Sequence, residues 1–200
     1  MPDRHPHLHD RRRLREHQAA LARLALRLMR SAPRATPQLS WQALETAPEW
    51  LARPEPELRQ LQMQVGAVFC APALRRWICR TRVQALLQAL GPGFVQALLQ
   101  EPDRARDATL PAELPDWPLS EPSPQDPAAV AELLRSCGAA VLIGTLPHGA
   151  LRHAASQALA PLAELMMPAA HAQALLQRAQ ALAQALNVSL ALPDSSGAPQ

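Results

Sequence analysis

Through most of this chain the apolar residues recur at helical spacing, and that pattern limits the fold more than any motif does. Leu58, Leu61, Val65, Val68 and Phe69 follow i, i+3, i+7, i+10 and i+11, with Arg59, Gln60, Gln62 and Gln64 left outward. Pro56 suits the first turn of that helix, because a first-turn amide has no partner within the helix. Upstream, Leu14, Leu21, Leu24, Ala25 and Leu28 form one stripe with Arg12, Arg23, Arg27 and Arg30 opposite it, an amphipathic helix from Asp10 to about Arg30. Composition agrees: of 200 residues, 48% are hydrophobic, mostly Ala, Leu and Val, with 3% aromatic and no Tyr. Such a mixture favours helix over strand.

Prolines and glycines mark where the helices end. Between 31 and 54, Pro33, Pro37, Pro48 and Pro54 break the chain into short turns, with a brief helix at Trp41–Thr46 and with Trp41 and Trp50 as aromatic anchors. Pro72 restarts or kinks the next helix, and Leu74, Trp77 and Ile78 lead into Val83, Leu86, Leu87 and Leu90. Gly91, Pro92 and Gly93 stop it, and Phe94, Val95, Leu98 and Leu99 begin another. Seven prolines then fall between 101 and 127 among acidic residues, a composition that sustains no helix. Trp117 and Leu119 there are candidates to dock on the body.

Asp126 as N-cap and Pro127 at the first helical position open the second half, followed by Val130, Leu133, Leu134 and Cys137. The run Ala139–Ile143 fits strand or helix, and helix is expected because no partner strand is visible elsewhere. Leu151, Ala155 and Leu159 mark one more helix, and Leu175, Ala179, Leu182 and Leu186 mark a last one after Pro168. The expected fold is all-α, an irregular bundle of about seven to eight helices with a proline-rich acidic connecting segment. Its expected parts are a disordered N-terminus at 1–9, a helical body at 10–100, a linker or strap at 101–125, a helical part at 126–192 that either packs with 10–100 as one domain or stands apart, and a disordered tail at 193–200.

No motif for catalysis, for a nucleotide phosphate or for a structural metal occurs, so no catalytic, cofactor or metal residue is assigned. His5, His7 and His9 alternate beside Asp10 as metal ligands do, but a proline-broken tail explains them more simply. His148 and His153 lie off a common helical face. Cys70, Cys79 and Cys137 are read as buried structural thiols. No apolar run reaches the roughly 20 residues of a bilayer span, and the N-terminus lacks a signal-peptide core, so a cytoplasmic location is expected.

The net charge is +3, but it is unevenly spread: residues 1–34 carry nine Arg against three acids, and 101–132 carry eight acids against two Arg. Such polarity suits protein partners. Arg75, Arg76, Arg80 and Arg82 bracket Trp77, and guanidinium groups beside an aromatic ring can hold acidic patches or phosphates through forked hydrogen bonds and stacking. The competing reading is an ordinary solvated helix face. Trp50, Arg75, Arg76, Trp77 and Arg80 are the candidate protein-binding residues. A helical nucleic-acid-binding regulator using the Arg clusters is the alternative, and a hydrolase or transferase with an unrecognised site is a third reading.

The short Pro48, Glu49, Trp50, Leu51 element, followed by LRQLQMQVGAVFCAPALRRWICRTRVQALLQALG from Leu58 to Gly91 with its Gly66, Pro72, Leu74, Arg75 and Gly91, resembles the SctK/YscK family. These are adaptors of the cytoplasmic sorting platform in bacterial type III secretion systems. The resemblance covers residues 40 to 100, and Ala47 stands where the family carries a His. It implies a non-enzymatic bridge, working without a cofactor at the cytoplasmic face of the inner membrane. One of its surfaces would meet the forkhead-associated-like domain of the inner-membrane ring protein, and another the pod protein of the platform.

Overall fold

Eight α-helices and one 3-10 turn make up the described part of the chain, a computed structural model that describes residues 6–32, 39–100, 126–159, 161 and 167–191. They are α1 (Pro6–Ser31), α2 (Trp41–Glu45), the 3-10 turn Glu49–Ala52, α3 (Glu55–Leu74), α4 (Arg80–Leu90), α5 (Pro92–Gln100), α6 (Pro127–Gly144), α7 (Ala150–Leu159) and α8 (Ala169–Ala191). No strand occurs among the described residues, and Ala139–Ile143 is helical. The all-α expectation holds, with the number of helices inside the expected range. The acidic proline-rich segment 101–125, with Trp117 and Leu119, lies outside the described residues, as does the tail from 192.

By contacts the chain divides into two units, Met1–Arg59 with Leu146–Ala160, and Gln60–Thr145 with Pro161–Gln200. In the first, α1 packs on α7, α2 and the 3-10 turn. Leu21, Leu24 and Leu28 of α1 are buried, as are Leu151, Ala154, Ala155 and Leu159 of α7. Helix α1 begins at Pro6, ahead of the expected Asp10, and a proline at the first helical position fits that start. Ser40 caps α2 by accepting the Ala43 N–H at 3.1 Å. Trp50 is 4% exposed and fills the core, whereas Trp41, expected as a second anchor, is exposed. Its indole N–H instead reaches Glu45 of its own helix at 2.8 Å.

Arg27 departs from the solvent-facing position its stripe implied. Its side chain is only 12% exposed, with Nε 3.6 Å from Glu55. Its guanidinium donates to the Leu51 carbonyl and, at 2.7 Å, to the Arg53 carbonyl, and Arg23 Nε donates to the Ala52 carbonyl at 3.4 Å. Pro54 follows these carbonyls and has no N–H to offer them, so the end of the 3-10 turn needs donors from elsewhere. Two arginines of α1 supply them. Burial lowers the pKa of Arg27, and the Glu55 carboxylate beside it opposes that shift.

In the second unit α6 is the central element, contacting α4 and α8, while α5 packs on α4 and α8. Asp126 Oδ2 accepts the Ala129 N–H at 3.1 Å, and Pro127 opens the helix as expected. From Ser136 to Gly144 every residue of α6 is buried. Its length and composition are those of a helix that could cross a bilayer, yet most of it is covered by protein here, as in a core helix. Leu58, Leu61, Val65, Val68 and Phe69 of α3 are all buried, as their spacing predicts. Gln62, expected outward, is buried too.

The reason is the approach of α6. A β-carbon at Gly138 would collide with the Gln62 backbone carbonyl, and one at Gly66 would collide with the Leu134 carbonyl. Each helix therefore presents a glycine to the backbone of the other, a closeness only small residues permit. Cys70 and Cys137 are both buried here. The neighbouring Cys137 thiol, then burial, push the Cys70 thiol well above its ordinary range.

Candidate protein-binding surface

Residues 75–82 hold four of the five residues singled out in the sequence, and the way α3 ends sets their surroundings. The helix continues through Pro72 to Leu74, then tightens: Arg75 N–H donates to Ala71 C=O at 3.0 Å, Arg76 to Ala73 at 3.1 Å and Trp77 to Leu74 at 3.0 Å. This shift to i−3 bonding is how helices commonly close. Trp77, Ile78 and Cys79 leave helical geometry, and Arg80 starts α4. The apolar run that read as continuous helix from Leu74 to Leu90 is thus interrupted at 75–79.

Ile78 is the consequence. Part of the apolar series that leads into Val83 and Leu86, it is 97% exposed. Trp77 beside it is half-buried, and Arg76 and Arg80 are exposed. Arg75 is half-buried and donates from Nη2 to the Leu98 carbonyl at 3.3 Å, fastening the link to the end of α5. Trp50, the remaining candidate, belongs to the core of the first unit.

The first turn of α4 carries Arg80 and Arg82 and no acidic residue. Cations at a helix N-terminus oppose the helix dipole, so local stability does not explain them. They add to the positive end of the helix and give the link an attraction for carboxylates. An exposed isoleucine between the exposed Arg76 and Arg80 has the make-up of an interface centre with a charged rim.

Cys79, read in the sequence as a buried thiol, is exposed and occupies the N-cap position of α4. Its sulfur lies 2.9 Å from the Thr81 hydroxyl. That hydrogen bond, then the nearby backbone N–H groups of Arg82 and Thr81, lower its pKa below the ordinary thiol value. Iodoacetamide is expected to alkylate Cys79 in the native protein and to spare the buried Cys70 and Cys137. Its rate should reach half-maximum at lower pH than for free cysteine, and Thr81→Val should move that midpoint up. Equal labelling of all three thiols would contradict this.

Among the described residues no three His, Cys, Asp or Glu side chains converge as metal ligands do. His148 and His153 are exposed, with His153 Nε2 3.0 Å from Gln157 Nε2. Comparison of the chain with family models, curated proteins and solved structures found no match.

Proposed function

We propose that this protein is a non-enzymatic adaptor that holds other proteins together, and that residues 76–80 form one of its docking surfaces. The observation that carries this reading is Ile78: an almost wholly exposed isoleucine, on a short hydrogen-bonded link, flanked by Arg76, Trp77 and Arg80. Burying such a side chain against a partner gains about 1.5–3 kcal/mol of transfer free energy that folding has left unused. The arginines favour an acidic partner surface. The similarity of residues 40–100 to SctK/YscK proteins supports a more specific assignment, an adaptor of a type III secretion sorting platform. There it links the forkhead-associated-like cytoplasmic domain of the inner-membrane ring protein to the pod protein.

Purified ring-protein domain and pod protein, immobilised separately, are expected to capture the full chain. Ile78→Asp, and separately Arg76→Glu with Arg80→Glu, should weaken capture by one of them about tenfold or more. The melting temperature should be unchanged, since these side chains are exposed. Normal capture of both variants by both proteins would remove residues 76–80 from the interface. Failure of the wild type to bind either protein would remove the secretion assignment. A mobility-shift assay addresses the nucleic-acid alternative, for which binding must fall steeply as salt rises.

A further inference from the structure

Two thiols meet where α3 and α6 come closest. Cys70 lies one helical turn beyond Gly66, whose missing side chain admits the Leu134 carbonyl, and Cys137 is next to Gly138, which admits the Gln62 carbonyl. Both belong to the second unit, and their side chains are neighbours across the crossing. Helix axes usually pack about 8–10 Å apart, and a crossing on glycine brings them closer. A disulfide needs Cα atoms about 4.4–6.8 Å apart, a separation that positions flanking such a crossing can meet without moving the backbone. With only 4% and 0% of their surfaces exposed, neither cysteine meets solvent while the helices are packed.

We propose that Cys70 and Cys137 form a redox-sensitive lock: a hydroperoxide joins them in a disulfide that pins α3 to α6, and a thiol reductant releases it. Either cysteine by itself would read as a small apolar filler, whereas two side by side across a crossing are reactants already held in place. Burial beside its neighbour keeps the Cys70 thiol protonated, so the pair waits on a brief opening of the crossing to admit the oxidant. One sulfur then gives its proton to water and attacks a peroxide oxygen: an S–O bond forms, the O–O bond breaks, and the departing hydroxide takes up a proton as water. The second sulfur, losing its own proton, attacks the sulfenic acid, so that the S–S bond forms, the S–O bond breaks and a second water leaves. Two thiols lose two electrons and one peroxide gains them. Because the second thiol stands beside the first, the bridge forms ahead of further oxidation to sulfinic acid. It closes the loop from 70 to 137, which holds α4, α5 and half of α6, and so restricts the unfolded chain.

The test uses the full chain carrying Cys79→Ser, which removes the exposed thiol and leaves the pair. Folded protein is treated with hydrogen peroxide, then denatured, alkylated without reductant and digested. The expected result is loss of both free thiols, a peptide linking Cys70 to Cys137, and a thermal midpoint raised by about 5–15 °C that dithiothreitol returns to its starting value. In Cys79→Ser with Cys137→Ala, peroxide should leave the midpoint without any dithiothreitol-reversible rise; if that variant fails to fold, the linked peptide decides by itself. Two thiols that stay free, a sulfinic acid at either position with no linked peptide, or a bridge that forms only in urea would each overturn the proposal. A bridge that forms in the folded chain but lowers the midpoint would overturn it as well.

Discussion

Replacing Gly138 by alanine is expected to cost the protein about 3 kcal/mol, toward the upper end of what overpacking does to a core. At an open helical position the same change would stabilise by roughly 1 kcal/mol, because alanine is the better helix former. Here the new methyl group meets the Gln62 carbonyl, a backbone atom inside α3 that no rotamer change can withdraw. The helices must separate, and the contacts of Val65, Phe69 and Cys137 around the crossing loosen with them. Gly66→Ala should behave alike through the Leu134 carbonyl. Calorimetry should show the transition lowered by roughly 10 °C, at 2–4 °C per kcal/mol for a chain of this size. Hydrogen exchange should quicken in α3 and α6. A variant as stable as the wild type would mean that α3 and α6 do not approach so closely.

The second large effect falls in the other unit. Arg27→Met keeps much of the side-chain bulk but removes the donors to the Leu51 and Arg53 carbonyls and the partner of Glu55. Hydrogen bonds from a charged group contribute about 1.5–3 kcal/mol each, and two carbonyls followed by Pro54 would be left wanting donors. A loss of about 3 kcal/mol is expected, with faster exchange in residues 49–53 and in α1. Arg27→Lys should recover only part of it, since one ammonium cannot reproduce the fork. Exposed Arg30→Met is the control and should change stability by less than about 0.5 kcal/mol. Equal effects of the Arg27 and Arg30 substitutions would refute the assignment.

These two positions also show where reading the sequence stopped. The periodic stripes of α1, α3, α7 and α8 and the Asp126–Pro127 start of α6 were legible, because a helix writes its buried face and its cap locally. The glycine pair was not. A glycine inside a helical pattern looks like a local weakness, and only the helix that passes it reveals its use; the sole hint was the small-residue run from Ser136 to Ala140. Arg27 was indistinguishable from Arg23 and Arg30, since whether an arginine faces water or a turn depends on what packs beside it.

The candidate surface was legible in composition and misplaced in geometry. Arg76, Trp77 and Arg80 stand out as charge around an aromatic residue, but Ile78 reads only as part of the apolar series leading toward Leu90. What exposes it is the departure from helix after Leu74, two residues past Pro72, a boundary finer than periodicity can place. The same misplacement hid Cys79.

The order in which the buried faces find their partners bears on how a ribosome makes this protein. Helix α1 ends at Ser31, yet α7, against which it packs, begins only at Ala150. Helix α3 likewise awaits Gly138. The chain between must therefore emerge before either helix can finish covering its leucines and valines, and a nascent or truncated chain leaves part of them bare. The expected consequence in cells is dependence on chaperones during synthesis and rapid clearance of C-terminal truncations, although the finished protein is built from local helices that form quickly.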